Sequence, residues 1–141
     1  MGSLLHDVGY VGLPSGLLQR EGPLSELEWS QVRRHPEEGL RLLQPLILSP
    51  VIREMVLHHH ERADGGGYPH RLATKDLAFE VRILSFAEVF AALTIPRAYQ
   101  KKRTGLEAME LIETGLMSFL DPDLLPVFKT FLGISRKSGL K

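Results

Sequence analysis

The chain has 141 residues, room for one domain with a hydrophobic core and too few for two. Its 17 basic and 17 acidic side chains cancel to a formal net charge of zero. That excludes a global field drawing the protein to DNA or to an acidic membrane, so an anionic ligand must be held by a local site. Cysteine is absent, which excludes disulfides and thiolate metal sites. No apolar run approaches the roughly 20 residues that span a bilayer. The start, Met1 to Asp7, meets charge at once and carries no basic leader, so the expected compartment is the cytoplasm.

In chain order, Ser25-Glu26-Leu27-Glu28 reads as a capping box that opens a helix, with Leu27, Val32 and Trp29 as candidates for its inner face. A second helix follows His35-Pro36, with Leu40, Leu43 and Leu46 at helical spacing. Ser49-Pro50 pairs a cap with proline at the first helical position, and the run Val51 to Val56 leads into His58-His59-His60. After a glycine-rich stretch, Asp64 to Pro69, the segment Phe79 to Leu93 predicts a strongly apolar, buried helix. Thr104 with Glu107 makes another capping box for a helix through about Met117. Asp121-Pro122 repeats the cap-plus-proline device for a last helix through Val127, Phe128 and Phe131. Sustained period-two alternation is missing, so the expected fold is all-α, about six or seven helices over residues 1–134 with a polar tail over 135–141.

The chemistry-bearing residues cluster. Six histidines stand in the chain, among them a His6-Asp7 pair, a His35-Pro36 pair and the triple His58-His59-His60. Imidazoles with carboxylates and no sulfur suit Fe, Mn, Ni or Zn rather than Ca or Mg. Glu88 sits inside an otherwise apolar helix, where a carboxylate is costly unless it is paired or coordinated. A salt bridge to Arg82 or Arg97 and ligation of a metal both remain open for it. Asp64-Gly65-Gly66-Gly67-Tyr68-Pro69 is either a tight interhelical loop or one that brings Tyr68 to a ligand. Arg97, Lys101, Lys102 and Arg103 form either a solvated basic helix end or a phosphate-binding group.

These pieces, in this order, resemble the HD-GYP family of the HD phosphohydrolase superfamily. The matching stretches include Leu5-His6-Asp7-Val8-Gly9, Gly22-Pro23-Leu24-Ser25, Arg34-His35-Pro36-Glu37, Ala92-Leu93-Thr94 and Arg97-Ala98-Tyr99. The long signature His59-His60-Glu61 followed by Asp64-Gly65 and Gly67-Tyr68-Pro69 is the most specific of them. The resemblance implies an HD-domain-like helical bundle that hydrolyses cyclic di-GMP or a related phosphodiester with two divalent transition metals, iron or manganese before nickel or zinc. It also implies His6, Asp7, His35, His59, His60 and Glu88 as metal ligands. Asp7 would be shared between the ions and catalytic, and Tyr68, Arg97 and Lys101 would face the substrate.

The sequence departs from the family pattern at four places. Tyr10 stands where the family carries a lysine, Ala91 where it carries an aspartate, and Gln100 where a basic residue is common. Glu88 is one methylene longer than the family's aspartate. The family's upstream helices are expected to be missing, which predicts self-association or helix exchange through Leu4, Leu5 and the inner face of the helix from Phe79 to Leu93. Together the departures predict impaired hydrolysis, with a non-catalytic module that binds metal or cyclic dinucleotide as the alternative.

Overall fold

The computed structural model describes residues 1–19, 22–96 and 103–134. The architecture is all-α, and among the described residues there is no strand, only an isolated bridge between Asp64 and Ala73. The helices are α1 (Gly2–Leu5), α2 (Ser15–Leu18), α3 (Glu26–Val32), α4 (His35–Leu42), α5 (Pro50–His58), α6 (Phe79–Thr94), α7 (Gly105–Leu111) and α8 (Leu124–Phe131). The first two are single turns, and a 3₁₀ turn over Val8–Gly12 separates them. The tail over 135–141 lies outside the described residues.

Local chemistry sets the helix starts. Ser25 accepts from the Glu28 amide while the Glu28 carboxylate accepts from the Ser25 amide, and Thr104 with Glu107 does the same at α7. Both boxes satisfy amides that a helix N-terminus leaves orphaned. At α5 Pro50 takes the first helical position as expected, although the Ser49 side chain makes no cap bond. The cap expected from Asp121-Pro122 is corrected: α8 starts three residues after Asp121. One Asp121 oxygen accepts from the Asp123 amide at 3.0 Å and the other from Arg82 at 2.7 Å. Both oxygens of the Asp121 carboxylate are therefore occupied ahead of the helix.

Two expectations about inner faces are also corrected. Leu27 is exposed, and α3 buries only Val32. With two turns, that helix packs through its end alone. Leu46 falls beyond α4, exposed in the turn that precedes α5, because Pro45 cannot donate to a continuing helix.

The core lies in the C-terminal half, where Phe86 of α6 packs with Met109, Ile112, Leu120 and Leu124. Phe86 also stacks on Phe128 of α8 at 4.2 Å between ring centres. Contrary to expectation, the inner face of α6 is therefore covered, and Val81, Leu84 and Phe86 are buried. In the N-terminal half α4 packs on the 3₁₀ turn and on α5, and α5 packs on α1 and α6. Gly9 makes this possible: a Cβ there would lie 1.9 Å from the His35 carbonyl oxygen and 2.6 Å from the Gly39 amide nitrogen. The backbone of the turn touches the backbone of α4, and Asp7 is brought against His35.

Candidate metal centre

Three segments converge on one point. Asp7 follows α1, His35 opens α4, and His59 and His60 follow α5. One ligand atom from each of Asp7, His35, His59 and His60 falls within 4.8 Å of all the others. Glu88 reaches the same place from the middle of α6, its Oε1 2.7 Å from His6 Nε2. Arg82, one of its two expected ion-pair partners, is bound to Asp121 instead. His6, Asp7, His35, His59, His60 and Glu88 are brought together; Arg97 and Lys101 lie outside the described residues.

The histidine rings are held alike. His6 Nδ1 lies 2.8 Å from the Ser3 carbonyl, His35 Nδ1 2.7 Å from that of Val32, and His59 Nδ1 3.0 Å from that of Val56. A carbonyl only accepts, so each Nδ1 carries the proton and donates it. Each of these acceptors is three residues earlier, with the Met55 carbonyl, four residues before His59, a second one at 3.2 Å, which ties ring direction to helical geometry. The Nε2 atoms are thereby turned toward the Asp7 carboxylate, those of His35 and His59 to one of its oxygens and that of His6 to the other, as where imidazoles ligate metal and a carbonyl fixes the tautomer.

The Nε2 atoms of His35 and His59 lie 3.0 Å apart, with Asp7 Oδ1 at 3.4 and 3.6 Å from them. In neutral rings whose Nδ1–H groups are committed, both Nε2 atoms present lone pairs to each other. His60 Nε2 is buried without any hydrogen-bond partner. Converging lone pairs and an orphaned buried nitrogen are what a cation would satisfy, so the donor set fits a divalent transition metal. Asp7 Oδ2 faces the other way, 3.1 Å from His6 Nε2. The two oxygens of one carboxylate thus address two donor groups, His35 with His59 on one side and His6 with Glu88 on the other.

Charges follow this geometry. Hydrogen bonds to Asp7 and then Glu88 raise His6 to a pKa of about 10, against its partial burial. Burial pushes Asp7 upward, but its contacts with His35, His59 and His6 outweigh it and hold the carboxyl well below the usual range. Burial lowers His60 to about 3, with His59 and His35 acting in the same direction. Burial also raises the Tyr10 phenol to about 12. Tyr10 stacks on His35 with 4.1 Å between ring centres, a neutral ring at the position where the sequence pattern called for a cation.

Tyr68 stacks on His60 at 4.8 Å. Its loop is pinned by Glu61, a buried residue whose carboxylate accepts from the amides of His70 at 2.6 Å and Leu72 at 3.0 Å. Gly67 completes the fit, because a Cβ there would lie 2.5 Å from the His60 carbonyl oxygen. A cavity of about 650 Å³ opens beside the histidines, lined by His59, His60, Tyr68 and Glu88 and, on the α3 side, by Trp29 and Arg33. Sequence reasoning placed Trp29 toward the core and gave Arg33 no task; the two-turn length of α3 was the signal that its side chains face elsewhere.

A family model described as HD domain matches residues 1–124. The chain is 36% identical over 135 residues to a Pseudomonas aeruginosa protein named cyclic di-GMP phosphodiesterase PA4108, covering 95% of this chain and 32% of that protein. It is 30% identical over 132 residues to a Vibrio cholerae protein named 3'3'-cGAMP-specific phosphodiesterase 3, covering 94% of this chain and 29% of that one. The chain thus spans about a third of the length of these curated relatives. Among solved structures, a Bdellovibrio bacteriovorus protein described as Bd1817, a HDG"Y"P protein, superposes with a TM-score of 0.72 at 22% identity, covering 94% of this chain and 42% of that one. That likeness speaks to the fold alone.

Proposed function

The chain belongs to the HD domain family, in its HD-GYP branch, and from that premise we propose that it is a metal-dependent phosphohydrolase domain acting on cyclic di-GMP, with turnover lowered by its altered residues. The observation that carries this reading is the convergence of Asp7, His35, His59 and His60 within 4.8 Å. His6 and Glu88 on the far side of Asp7 support a second ion, iron or manganese in preference to nickel or zinc. When bound, such ions stabilise phosphate charge as Lewis acids and lower the pKa of water.

The chain's own residues do the rest. Asp7 stays ionised and offers an oxygen to each donor group. The carbonyls of Ser3, Val32 and Val56 fix three imidazole directions. Tyr68, its phenol held protonated by burial, forms a donor-bearing wall against His60. Arg97 and Lys101 belong to the proposal as substrate-side cations. Tyr10 supplies no charge, and Ala91 offers neither acid nor base, which supports slow hydrolysis. Exposed Leu4 and Val11 support self-association. No described helix is long and apolar enough to cross a membrane, and the cysteine-free chain is in keeping with a cytoplasmic site of action.

The deciding experiment is elemental analysis of untagged protein, run beside a cyclic di-GMP cleavage assay with added iron or manganese. Two metals per chain with slow cleavage is the expected result. Metal without cleavage would favour the non-catalytic binding module, and no metal at all would sink the reading.

A further inference from the structure

One wall of the cavity has no task in the reading above. Trp29 of α3 and Arg33, the residue that caps the end of that helix, lie four residues apart, with the Arg33 guanidinium carbon 5.9 Å from the centre of the Trp29 ring. Both line the cavity that His59, His60 and Tyr68 line from the other side. Trp29 is 41% exposed, so its indole face is not spent on the core.

Arg33 differs from its neighbours in the same way. Arg34 pairs with Glu38, and Arg62 is bound to Asp64 while lying 3.6 Å over the Phe119 ring. Among the described residues no carboxylate pairs with Arg33, whose contact is the Trp29 ring. Its field nevertheless reaches the site, since it opposes the upward pressure of burial on the Tyr68 phenol. An aromatic face beside a guanidinium that no described carboxylate pairs is the chemistry that recognises nucleotides. Bases of any sequence stack on aromatic rings, and guanidinium forks take phosphate oxygens in pairs.

We infer that Trp29 and Arg33 form the recognition wall for a cyclic purine dinucleotide, Trp29 stacking on one base and Arg33 binding the phosphate that is not cleaved. The inference rests on the phosphodiesterase reading and deepens it. A cyclic dinucleotide carries two phosphates, and the metal ligands address one of them. The second needs a cation on a different wall, and Arg33 is placed to provide it. Stacking on Trp29 is indifferent to which purine is presented, so this wall accepts guanine and adenine alike.

The chain contains a single tryptophan, so emission excited beyond the tyrosine absorption band reports on Trp29 alone. Metal-loaded protein would be titrated with the bis-phosphorothioate analogue of cyclic di-GMP, which resists cleavage, with calorimetry in parallel. The expected result is a saturable change in fluorescence that inorganic phosphate does not produce. Trp29→Ala and Arg33→Ala each weaken binding about tenfold, within the range for a lost base stack or charge-assisted contact. Trp29→Phe restores most of the affinity, and metal content stays unchanged in all variants. Calorimetric binding with unmoved fluorescence, and full affinity in both alanine variants, would overturn the wall and leave the phosphodiesterase reading standing. Absence of binding to the metal-loaded wild type would overturn both.

Discussion

The Nε2 atoms of His35 and His59 face each other across 3.0 Å, each ring having given its other nitrogen to a carbonyl three residues upstream. Neither ring can turn away without breaking that bond, so the contact is relieved only by a proton or a cation between them.

Metal removal should therefore cost stability. At a free metal concentration a thousand times the Kd, binding contributes about 4 kcal/mol, worth about 10 °C in Tm for a chain of this size. His59→Gln should lose most of that rise while leaving the chelated protein folded. Scanning calorimetry with and without chelator checks both.

Metal uptake should release about one proton per chain near neutral pH, because His6, raised to about 10, must give up its Nε2 proton. Asp7 is already ionised and His60 already neutral, so they release none. The sign for the metal-free fold is opposite. The raised pKa stabilises that fold in full below about 6.5, and the contribution is lost as pH climbs through about 10. Calorimetry in buffers of different ionisation enthalpy counts the protons, and His6→Gln should release one fewer.

Gly9→Ala should destabilise the protein by about 3 kcal/mol, since the new Cβ meets backbone that cannot move aside. Gly12→Ala, with nothing within 4 Å of its added Cβ, should be neutral within about 0.5 kcal/mol. Urea midpoints of the two variants give the comparison. Gly9→Ala should also lower metal content, because the same contact holds Asp7 against His35.

Tyr10→Lys should raise kcat/KM for cyclic di-GMP about tenfold, by placing a cation where a neutral ring now stacks on His35. Steady-state kinetics at saturating metal would show it; an unchanged or lower value would mean that Tyr10 is not what limits turnover.

Leu4, 86% exposed, predicts concentration-dependent association. Light scattering over a wide range of protein concentration should show dimer for the wild type and monomer for Leu4→Glu.

Much of this was legible in the sequence because it depends on local rules. The capping boxes at Ser25 and Thr104 follow from residue type at fixed spacing, and both are present. The ligand candidates were legible because a His-Asp pair, three consecutive histidines and a carboxylate in an apolar helix are each hard to place otherwise. Asp121 was misread because a cap and an ion pair use the same carboxylate, and only the fold shows that Arg82, thirty-nine positions earlier, is in reach. Trp29 was misread because helical periodicity gives a face without saying whether core or cavity lies opposite it. The buried Glu61 was passed over because its partners are backbone amides, which leave no mark in the sequence.

The carbonyl anchors on His6, His35 and His59 also bear on how a chain without cysteine is held together. Ions held by these rings and Asp7 would act as a reversible staple, joining the start of the chain to the end of α5. Closing a loop of roughly fifty residues removes about 4 kcal/mol of freedom from the unfolded chain if disulfide-like entropy applies. The same donors proposed for chemistry would then also set how long the fold lasts without its metal.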